Sequence, residues 1–240
     1  MIVSPPNVRP GEKLPVVFVL HGFNTTALQE RSIGQWDAAV VRDRFMAAFP
    51  QGDFNSWNAG GCCGLAKSGS IDDVGYLQTL VTGLRQRSDV DPARVFMVGE
   101  SNGGMMTYKF LCQHADELAG AASSEGTSVA GCEPNAPIRF LHVHGLADDT
   151  VPYNGGQSLI AWVLGVTFTT VPYSVQQLAT SEGCQAPTTH TQGSVTTESW
   201  AGCGSGGPVQ LVSLAGWGHS WPTGAYDATS QMLEFFGLAS

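Results

Sequence analysis

The pentapeptide Gly99-Glu100-Ser101-Asn102-Gly103 is the strongest indication of the fold in this 240-residue chain. It follows an apolar run at 95–98 and precedes a segment, 104–108, that has the pattern of a helix start. Strand, Gly-x-Ser-x-Gly and helix in this order form a nucleophile elbow, which lifts a serine hydroxyl above the edge of a sheet. Glycines are needed because the turn is strained and the helix packs close to the strand. The pattern predicts Ser101 as a nucleophile.

The composition is that of a globular, sparsely charged protein. Hydrophobic residues make up 42% of the chain, charged residues 13%, and the formal net charge is −9. Nucleic acid and anionic membranes do not attract an acidic protein, so neither is expected as a partner. The chain has no apolar run of membrane-spanning length. We expect a single domain over residues 1–240, and a monomer.

Apolar runs alternate with helical segments along the chain. The expected strands are 14–20, 45–49, 95–98, 118–122, 138–143 and 209–214. The expected helices are 27–41, 72–86, the helix after the elbow, one or two within 153–180, and 227–236. The expected connections include a long loop at 53–69 and a turn at 91–94. This alternation predicts an α/β fold, a doubly wound and mostly parallel sheet with helices on both faces.

Serine acyl transfer needs a base and an acid that orients it, and after an elbow serine these follow in the order acid, then His. Asp148 lies in the loop that leaves the strand 138–143, where the orienting acid belongs. The spacing His-Gly-x-x-Asp-x-x-Val-Pro favours it over Asp149. His219 stands between the last strand and the last helix. We therefore predict Ser101, Asp148 and His219 as the catalytic residues.

The oxyanion of acyl transfer needs backbone donors beside the nucleophile. The expected donors are the N–H groups of Asn102, which follows the nucleophile, and Phe23, in the loop after the first long strand. His142 and His144 alternate along one strand and share a face, which leaves a metal site with Asp148 as an alternative to buried histidines that bond to loop backbone. The second interpretation is favoured, and no metal or organic cofactor is expected.

Several further side chains allow both a functional and a structural interpretation. Aromatic rings can stack on a phenolic or sugar group, or they can fill the core. The candidates for substrate binding on this ground are Trp57, Trp162, Trp217 and Trp221. Asp72 and Asp73 are assigned to structure, because a helix N-terminus favours carboxylates.

Cysteine usage indicates an oxidising compartment, and we expect a secreted protein. Cys184 and Cys203 bracket a polar segment with little core of its own, so a disulfide bond between them would staple a weakly packed loop. Met1 is followed at once by proline-rich sequence without a signal peptide. We interpret the chain as a mature protein from which a secretion signal has been removed.

The other cysteines are expected to form two further bridges. Cys62 and Cys63 are adjacent, and neighbours in sequence do not easily bond to each other. Their expected partners are Cys112 and Cys132, in an order that the sequence does not assign. A metal site is disfavoured, because the cysteines lack metal-ligand spacing.

Several segments of the chain together form a specific set of motifs. They are Leu20-His-Gly, Trp57-Asn-Ala-Gly-Gly-Cys-Cys-Gly64, Asp72-Asp-Val-Gly-Tyr76, Asp91-Pro-Ala-Arg-Val95, Gly99-Glu-Ser-Asn-Gly-Gly-Met-Met106, His142-Val-His-Gly-Leu-Ala-Asp148, Val151-Pro-Tyr153, the Cys184/Cys203 pair and Gly218-His-Ser-Trp-Pro222. This set resembles one family, the secreted esterases of the polyhydroxybutyrate depolymerase and feruloyl/acetylxylan esterase group. The segments cover most of the chain in the family's order. The resemblance implies an α/β-hydrolase fold and extracellular ester hydrolysis through an acyl-enzyme, with Ser101, Asp148 and His219 as the triad.

The resemblance leaves the substrate open. Feruloyl or acetyl esters of plant cell-wall polysaccharide are the favoured substrate, and a polyester of the polyhydroxyalkanoate type is the alternative. A non-catalytic carbohydrate-binding protein on the same scaffold is a third interpretation. The family has a strand before the strand at 14–20, where this chain has a short proline-rich lead, so the first edge of the sheet is expected to be trimmed. Residues 162–173 match no family motif.

Overall fold

The computed structural model describes residues 1–129, 131, 133–204 and 206–239. Its strands are β1 (Ile2–Val3), β2 (Leu14–Leu20), β3 (Met46–Ala48), β4 (Val90–Glu100), β5 (Gly120–Ser124), β6 (Phe140–Gly145), β7 (Thr188–Gln192), β8 (Val195–Trp200) and β9 (Val209–Leu214). Its α-helices are α1 (Ala27–Ile33), α2 (Trp36–Asp43), α3 (Gly64–Ser68), α4 (Asp73–Arg85), α5 (Asn102–His114), α6 (Leu159–Leu164), α7 (Val171–Ser181) and α8 (Ala228–Phe235).

The described strands form one sheet in the order β1-β3-β2-β4-β5-β6-β9-β8-β7. The strands from β3 to β9 in this order are parallel. Antiparallel strands close both edges, β1 beside β3 and the β8–β7 pair beside β9. The predicted mostly parallel sheet is thus confirmed. The strand that precedes β2 in the chain, β1, has only two residues and forms one edge of the sheet.

Alternating side chains of the sheet enter two separate cores, one on each face. From β2, Val16, Phe18 and Leu20 pack in one cluster with side chains of α4, α5, α6 and α7. Val17 and Val19 pack in the other, with side chains of α1, α2 and α8. Helices therefore cover both faces, which confirms the doubly wound arrangement. Among the described residues, no helix is both long and apolar enough to cross a membrane.

Three segments differ from the predicted elements. The helix expected over 27–41 is divided into α1 and α2 by Gly34 and Gln35, the second of which has a positive φ of 52°. The turn expected at 91–94 lies within β4, as an irregularity between residues that pair with Leu14 and Val16. The β7–β8 hairpin was not predicted, because every side chain of β7 is exposed and the strand shows no apolar alternation.

Of the two disulfide bonds that the structure describes, one agrees with the expected pairing and the other does not. Cys184 and Cys203 are bonded, with Cα atoms 3.8 Å apart, as expected. Cys62 and Cys63 are bonded to each other, so their predicted pairing with Cys112 and Cys132 is wrong. The cis peptide bond between them brings their Cα atoms to 3.1 Å and lets the two sulfurs meet. Cys132 lies outside the described residues.

Close backbone packing fixes the elbow between β4 and α5. A Cβ atom on Gly103 would overlap the carbonyl oxygen of Leu20, and one on Gly99 would overlap the backbone of Gly103. The first turn of α5 therefore lies directly against the end of β2. Neither glycine position has room for a side chain, so glycine is needed at both for steric reasons.

We predict that Gly103→Ala lowers the free energy of unfolding by about 3 kcal/mol, because the added methyl group meets rigid backbone. Gly83→Ala in α4 is the matched control. A Cβ atom there meets nothing within 4 Å, so alanine should stabilise the helix by about 0.5–1 kcal/mol. Urea denaturation measures both changes. An unaltered unfolding midpoint for Gly103→Ala would contradict the close packing.

Candidate active site

Ser101 occupies the strained turn between β4 and α5. Its backbone has φ 51° and ψ −118°, outside the regions that L-residues ordinarily adopt. The turn is held from the sheet side, where the Ser101 N–H donates to the Ser124 carbonyl oxygen at 2.8 Å. The side chain is half-buried at the carboxyl end of the parallel strands. Strain held at one serine by the surrounding structure is typical of a functional position.

The structure brings the three predicted catalytic residues into one hydrogen-bonded line. His219, in the loop after β9, places Nε2 2.9 Å from Ser101 Oγ. The Nδ1 atom of the same ring lies 2.7 Å from Oδ2 of Asp148, in the loop after β6. Asp149 is exposed, in contrast to the buried Asp148. This geometry has the order of contacts that nucleophile activation needs.

The Asp148 carboxylate is held on both oxygens. Oδ1 accepts hydrogen bonds from the N–H groups of Thr150 and Val151, each at 2.8 Å. Oδ2 faces His219 and, at 3.2 Å, Nε2 of His144. Burial alone would raise the pKa of Asp148, but its hydrogen bonds with the two histidines, the His219 charge and the Val151 amide hold the pKa well below its usual value. The acid therefore stays ionised while it orients His219.

A buried chain of hydrogen bonds, formed by side chains of α5 and β6, leads to Asp148. His144 Nε2 lies 2.9 Å from the Val151 carbonyl oxygen, which can only accept, so this nitrogen carries the proton. With neutral rings, His144 Nδ1 then accepts from His142 Nε2 at 3.1 Å, and His142 Nδ1 accepts from the Tyr108 hydroxyl at 2.8 Å. Burial, reinforced by His144, lowers the pKa of His142. The buried-histidine interpretation of this strand is confirmed.

Glu125 is a residue of the acid site that the sequence did not indicate. It follows β5, is fully buried, and accepts the Gly145 N–H on both oxygens at 3.0–3.1 Å. Burial, with the neighbouring charge of Asp148, raises the pKa of Glu125 to about 10. Within the described part of the chain, Glu125, Asp148 and His219 are a set close enough to share a cation. Asp148 and His219 are bonded to each other, so we assign the set to the acid site.

The loop after β2 passes directly beside the nucleophile. A Cβ atom on Gly22 would lie 3.4 Å from Ser101 Cβ, which places the following N–H, that of Phe23, next to the site. His21 fixes this loop, since its Nδ1 bonds to the Gly22 carbonyl oxygen at 2.8 Å and its Nε2 accepts the Gly52 N–H at 3.0 Å. The Trp57 indole N–H donates to the His21 carbonyl oxygen at 2.8 Å.

The second predicted oxyanion donor begins α5. Asn102 is the first residue of that helix, so its N–H has no intrahelical acceptor and points to the helix N-terminal side. Its buried side chain forms a pair of hydrogen bonds with the Trp57 backbone, at 2.7 Å to the N–H and 3.1 Å to the carbonyl oxygen. Asn102 thereby ties the elbow to the loop that carries Trp57.

The four tryptophan candidates for substrate contact lie in different environments. Trp57 is completely buried and Trp221 is 3% exposed, so the structure contradicts substrate contact for both. Trp57 bonds to the oxyanion loop instead, and the Trp221 indole donates to Thr229 Oγ1. Trp217 is half-buried beside His219, and Trp162 on α6 is 70% exposed. These two remain candidates.

The structural assignment of the acidic pair before α4 is confirmed. Asp72 is the N-cap of the helix, and its side chain accepts the Gly75 N–H at 3.0 Å. Asp73 is buried and accepts the Asn58 N–H at 2.6 Å.

Comparison with known proteins finds esterases that are similar to this chain. The chain is 31% identical over 232 residues to feruloyl esterase B of Piromyces equi, covering 92% of this chain and 42% of that protein. It is 27% identical to feruloyl esterase C of Emericella nidulans, covering 98% and 82%. These likenesses support an α/β-hydrolase esterase family. No protein-family model matches it.

The fold of this chain is also found in solved structures. The acetyl xylan esterase from Aspergillus awamori superposes on it with a TM-score of 0.72 at 17% identity, and the match covers 99% of this chain and 93% of that one. The chain spans less than half the length of the Piromyces relative and about four-fifths of the Emericella relative. The likeness to the solved esterase confirms the predicted α/β-hydrolase fold.

We predict that Glu125→Gln changes how stability depends on pH. The pKa of Glu125 is about 10 in the fold against 4.5 in an unperturbed carboxyl, so the folded state holds a proton that the unfolded chain loses. The contribution of Glu125 to the free energy of unfolding is complete below pH 4.5. It is lost as pH rises towards 10, by up to about 1.4 kcal/mol per pH unit. Glutamine cannot ionise, so the variant should gain stability relative to wild type as pH rises.

Urea denaturation at about pH 5, 7 and 9 measures this difference. Glu234→Gln, at an exposed position of α8, is the control and should run parallel to wild type. A Glu125→Gln curve that also runs parallel to wild type would contradict the assignment of a buried, protonated carboxyl.

Proposed function

We propose that this chain is a serine carboxylic-ester hydrolase that acts on feruloyl or acetyl esters of plant cell-wall polysaccharide. The observation that carries the proposal is the line of contacts from Ser101 Oγ through His219 to Asp148, at 2.9 Å and 2.7 Å. The names of the relatives, feruloyl esterase B and feruloyl esterase C, support the choice of substrate.

In the proposed mechanism, His219 Nε2 removes the proton of Ser101 Oγ as this oxygen attacks the ester carbonyl carbon. Asp148 accepts the Nδ1–H of His219, which fixes the tautomer and stabilises the imidazolium. The carbonyl oxygen becomes an oxyanion that accepts the N–H groups of Asn102 and Phe23. The tetrahedral intermediate then collapses and the bond from its carbon to the alkoxide oxygen breaks. His219 gives its proton to that oxygen, so the alcohol leaves and the acyl group stays on Ser101 as the acyl-enzyme.

Hydrolysis of the acyl-enzyme repeats these steps with water. His219 Nε2 removes a proton from water as its oxygen attacks the acyl carbon, and the oxyanion forms at the same donors. Collapse of this second intermediate breaks the bond to Ser101 Oγ, which recovers its proton from His219. The products are the free acid and the regenerated serine. Every proton in the cycle passes through His219, and none requires a further co-reactant.

We further propose that α6 supplies a docking surface for the polymer. The helix is tied to the acid loop, because its N-cap Ser158 donates from Oγ to the Thr150 carbonyl oxygen at 2.6 Å. It exposes Leu159, Trp162 and Val163 at 81%, 70% and 63%. An exposed indole is suited to stacking on a sugar or phenolic ring. On this proposal, a polysaccharide chain bound at the site also contacts Trp162.

Two other functions have less support. The curated relatives described above favour a cell-wall ester over a polyester. A non-catalytic binding protein would not need the hydrogen-bonded serine, histidine and aspartate. A secreted location is part of the proposal, supported by the Cys184–Cys203 disulfide bond, since such bonds persist in oxidising compartments.

We predict that Ser101→Ala abolishes hydrolysis of methyl ferulate and acetylated xylan while the fold is retained. Removing the nucleophile leaves the binding site and oxyanion donors in place, so any residual rate should be lower by roughly 10⁴-fold or more. Initial-rate assays with matched circular dichroism spectra test this. Comparable hydrolysis by wild type and variant would refute the proposed nucleophile, and hydrolysis of amorphous polyhydroxybutyrate alone would refute the proposed substrate.

We predict that Trp162→Ala raises KM for acetylated xylan about tenfold and leaves kcat within about twofold, because one lost stacking contact is worth about 1–1.5 kcal/mol. KM for methyl ferulate, which carries no polysaccharide, should change less. Leu28→Ala, at a position of α1 that is 63% exposed, is the matched control and should alter neither value. Equal effects on the polymer and the small ester would contradict the docking surface.

A further inference from the structure

Two carboxyl groups, those of Glu125 and Asp148, lie next to His219. Glu125 follows β5 and Asp148 follows β6, and these strands are parallel neighbours in which Ser124 pairs with Val143. The carboxyl ends of both strands therefore open onto the same edge of the sheet as the nucleophile. Both side chains are completely buried. The proposed mechanism uses one of these carboxyl groups and leaves the other without a role.

His144 connects the two carboxyl groups. Its Nε2 lies 3.2 Å from Asp148 Oδ2 and 3.4 Å from Glu125 Oε2, so it faces one oxygen of each. A carboxylate oxygen of Glu125 also lies within 4.8 Å of both an Asp148 oxygen and a ring nitrogen of His219. Glu125 is thus positioned for the same histidine that Asp148 orients.

The backbone at Glu125 is held in an unusual conformation. Its φ is 53°, in the left-handed region that a residue with a side chain rarely adopts. The N–H of Glu125 donates to the Val143 carbonyl oxygen at 3.0 Å, and the Gly145 N–H donates back to its carboxyl group. A buried carboxyl in a strained conformation costs stability, and such features are found where they serve a function.

We propose that Asp148 and Glu125 form a two-carboxyl acid site, in which Glu125 is a second positioning residue able to accept the Nδ1–H of His219. The inference rests on the proposed serine-hydrolase mechanism. In the native protein Asp148 is ionised and bonded to His219, while Glu125 is protonated. When the Asp148 carboxylate is removed, Glu125 loses its proton to solvent and its carboxylate takes the vacated place below the imidazole.

The groups around Glu125 decide the pH at which it ionises. It faces Asp148 from the loop after β6, His144 on β6, His219 after β9 and Glu100 at the end of β4. Burial raises the pKa of Glu125 to about 10, and the charges of Asp148 and Glu100 act in the same direction. Removal of Asp148 takes away the nearer of these charges. Glu125 should then ionise at a lower pH than in wild type.

The test compares kcat/KM for methyl ferulate from about pH 6 to 10 in three variants. Asp148→Ala should lose roughly 10²–10³-fold, less than the roughly 10⁴-fold seen where a triad has a single acid, and its rate should climb with pH as Glu125 ionises. Asp148→Ala/Glu125→Gln should lose at least tenfold more at about pH 9 and show no such climb. Asp148→Ala/Asp149→Asn is the matched control, in which an exposed carboxyl is removed instead, and it should behave as Asp148→Ala.

A spectroscopic signature separates orientation of His219 from a purely structural effect. In Asp148→Ala at alkaline pH, the low-field proton resonance of His219 Nδ1–H bonded to a carboxylate should persist, and in the double variant it should vanish. Identical pH profiles and spectra for Asp148→Ala and the double variant would overturn the two-carboxyl site. If Asp148→Ala does not fold, Asp148→Ser replaces it in both backgrounds, because a hydroxyl can still accept the Val151 N–H.

Failure of this inference is distinguishable from failure of the proposed function. A wild-type protein without esterase activity, or an active Ser101→Ala variant, would refute the function whatever the acid variants do. In that case the His219 resonance still reports whether Glu125 accepts its proton. An active wild type whose single and double acid variants are indistinguishable would refute the two-carboxyl site alone.

Discussion

The active-site edge of this protein depends on how closely the first turn of α5 approaches the end of β2. Glycine at positions 99 and 103 removes the side chains that would otherwise hold the helix away from the Leu20 carbonyl oxygen. That approach sets the strained conformation of Ser101 and brings the loop after β2 alongside it. Two candidate oxyanion donors, the N–H groups of Asn102 and Phe23, therefore come from chain segments that the packing itself brings together. A looser contact would misplace the nucleophile and its electrostatic partners at once.

The opposite side of the site is built from buried polar groups. With neutral rings, the donors of Tyr108, His142 and His144 all point along the chain of hydrogen bonds towards Asp148. Such a network lowers the free energy of the ionised acid and restricts the rotation of its carboxylate. A buried polar group left without a partner would lower the stability of the fold by more than its hydrogen bond contributes. The orientation of His219 follows from this arrangement. Loops at the ends of β6 and β9 thus supply the acid and the base, and the rigid strands position both loops.

Sequence patterns predicted the parts of the structure that depend on local chemistry. The apolar runs of β2 and β9 were placed to the residue, and Ser101, Asp148 and His219 were singled out because motif and chain order restrict them. The β7 strand is not predictable from the sequence, because polar side chains on both of its faces leave no alternation of apolar and polar residues. The place of Glu125 in the site is not predictable either, because its partners come from β6 and the loops beyond, and nothing in Ser-Ser-Glu-Gly indicates burial. Trp57 keeps both a substrate and a core interpretation at the level of sequence, because the burial of an indole depends on the assembled fold.

Ester hydrolysis as proposed requires that Ser101 is a nucleophile activated by His219. The rate and site of reaction with a fluorophosphonate, followed by mass spectrometry of the digested protein, measure this activation. We expect a single adduct on the peptide that contains Ser101, formed at least roughly 10³-fold more slowly in His219→Ala. Labelling at another residue, or labelling of Ser101 at an undiminished rate without His219, would contradict it.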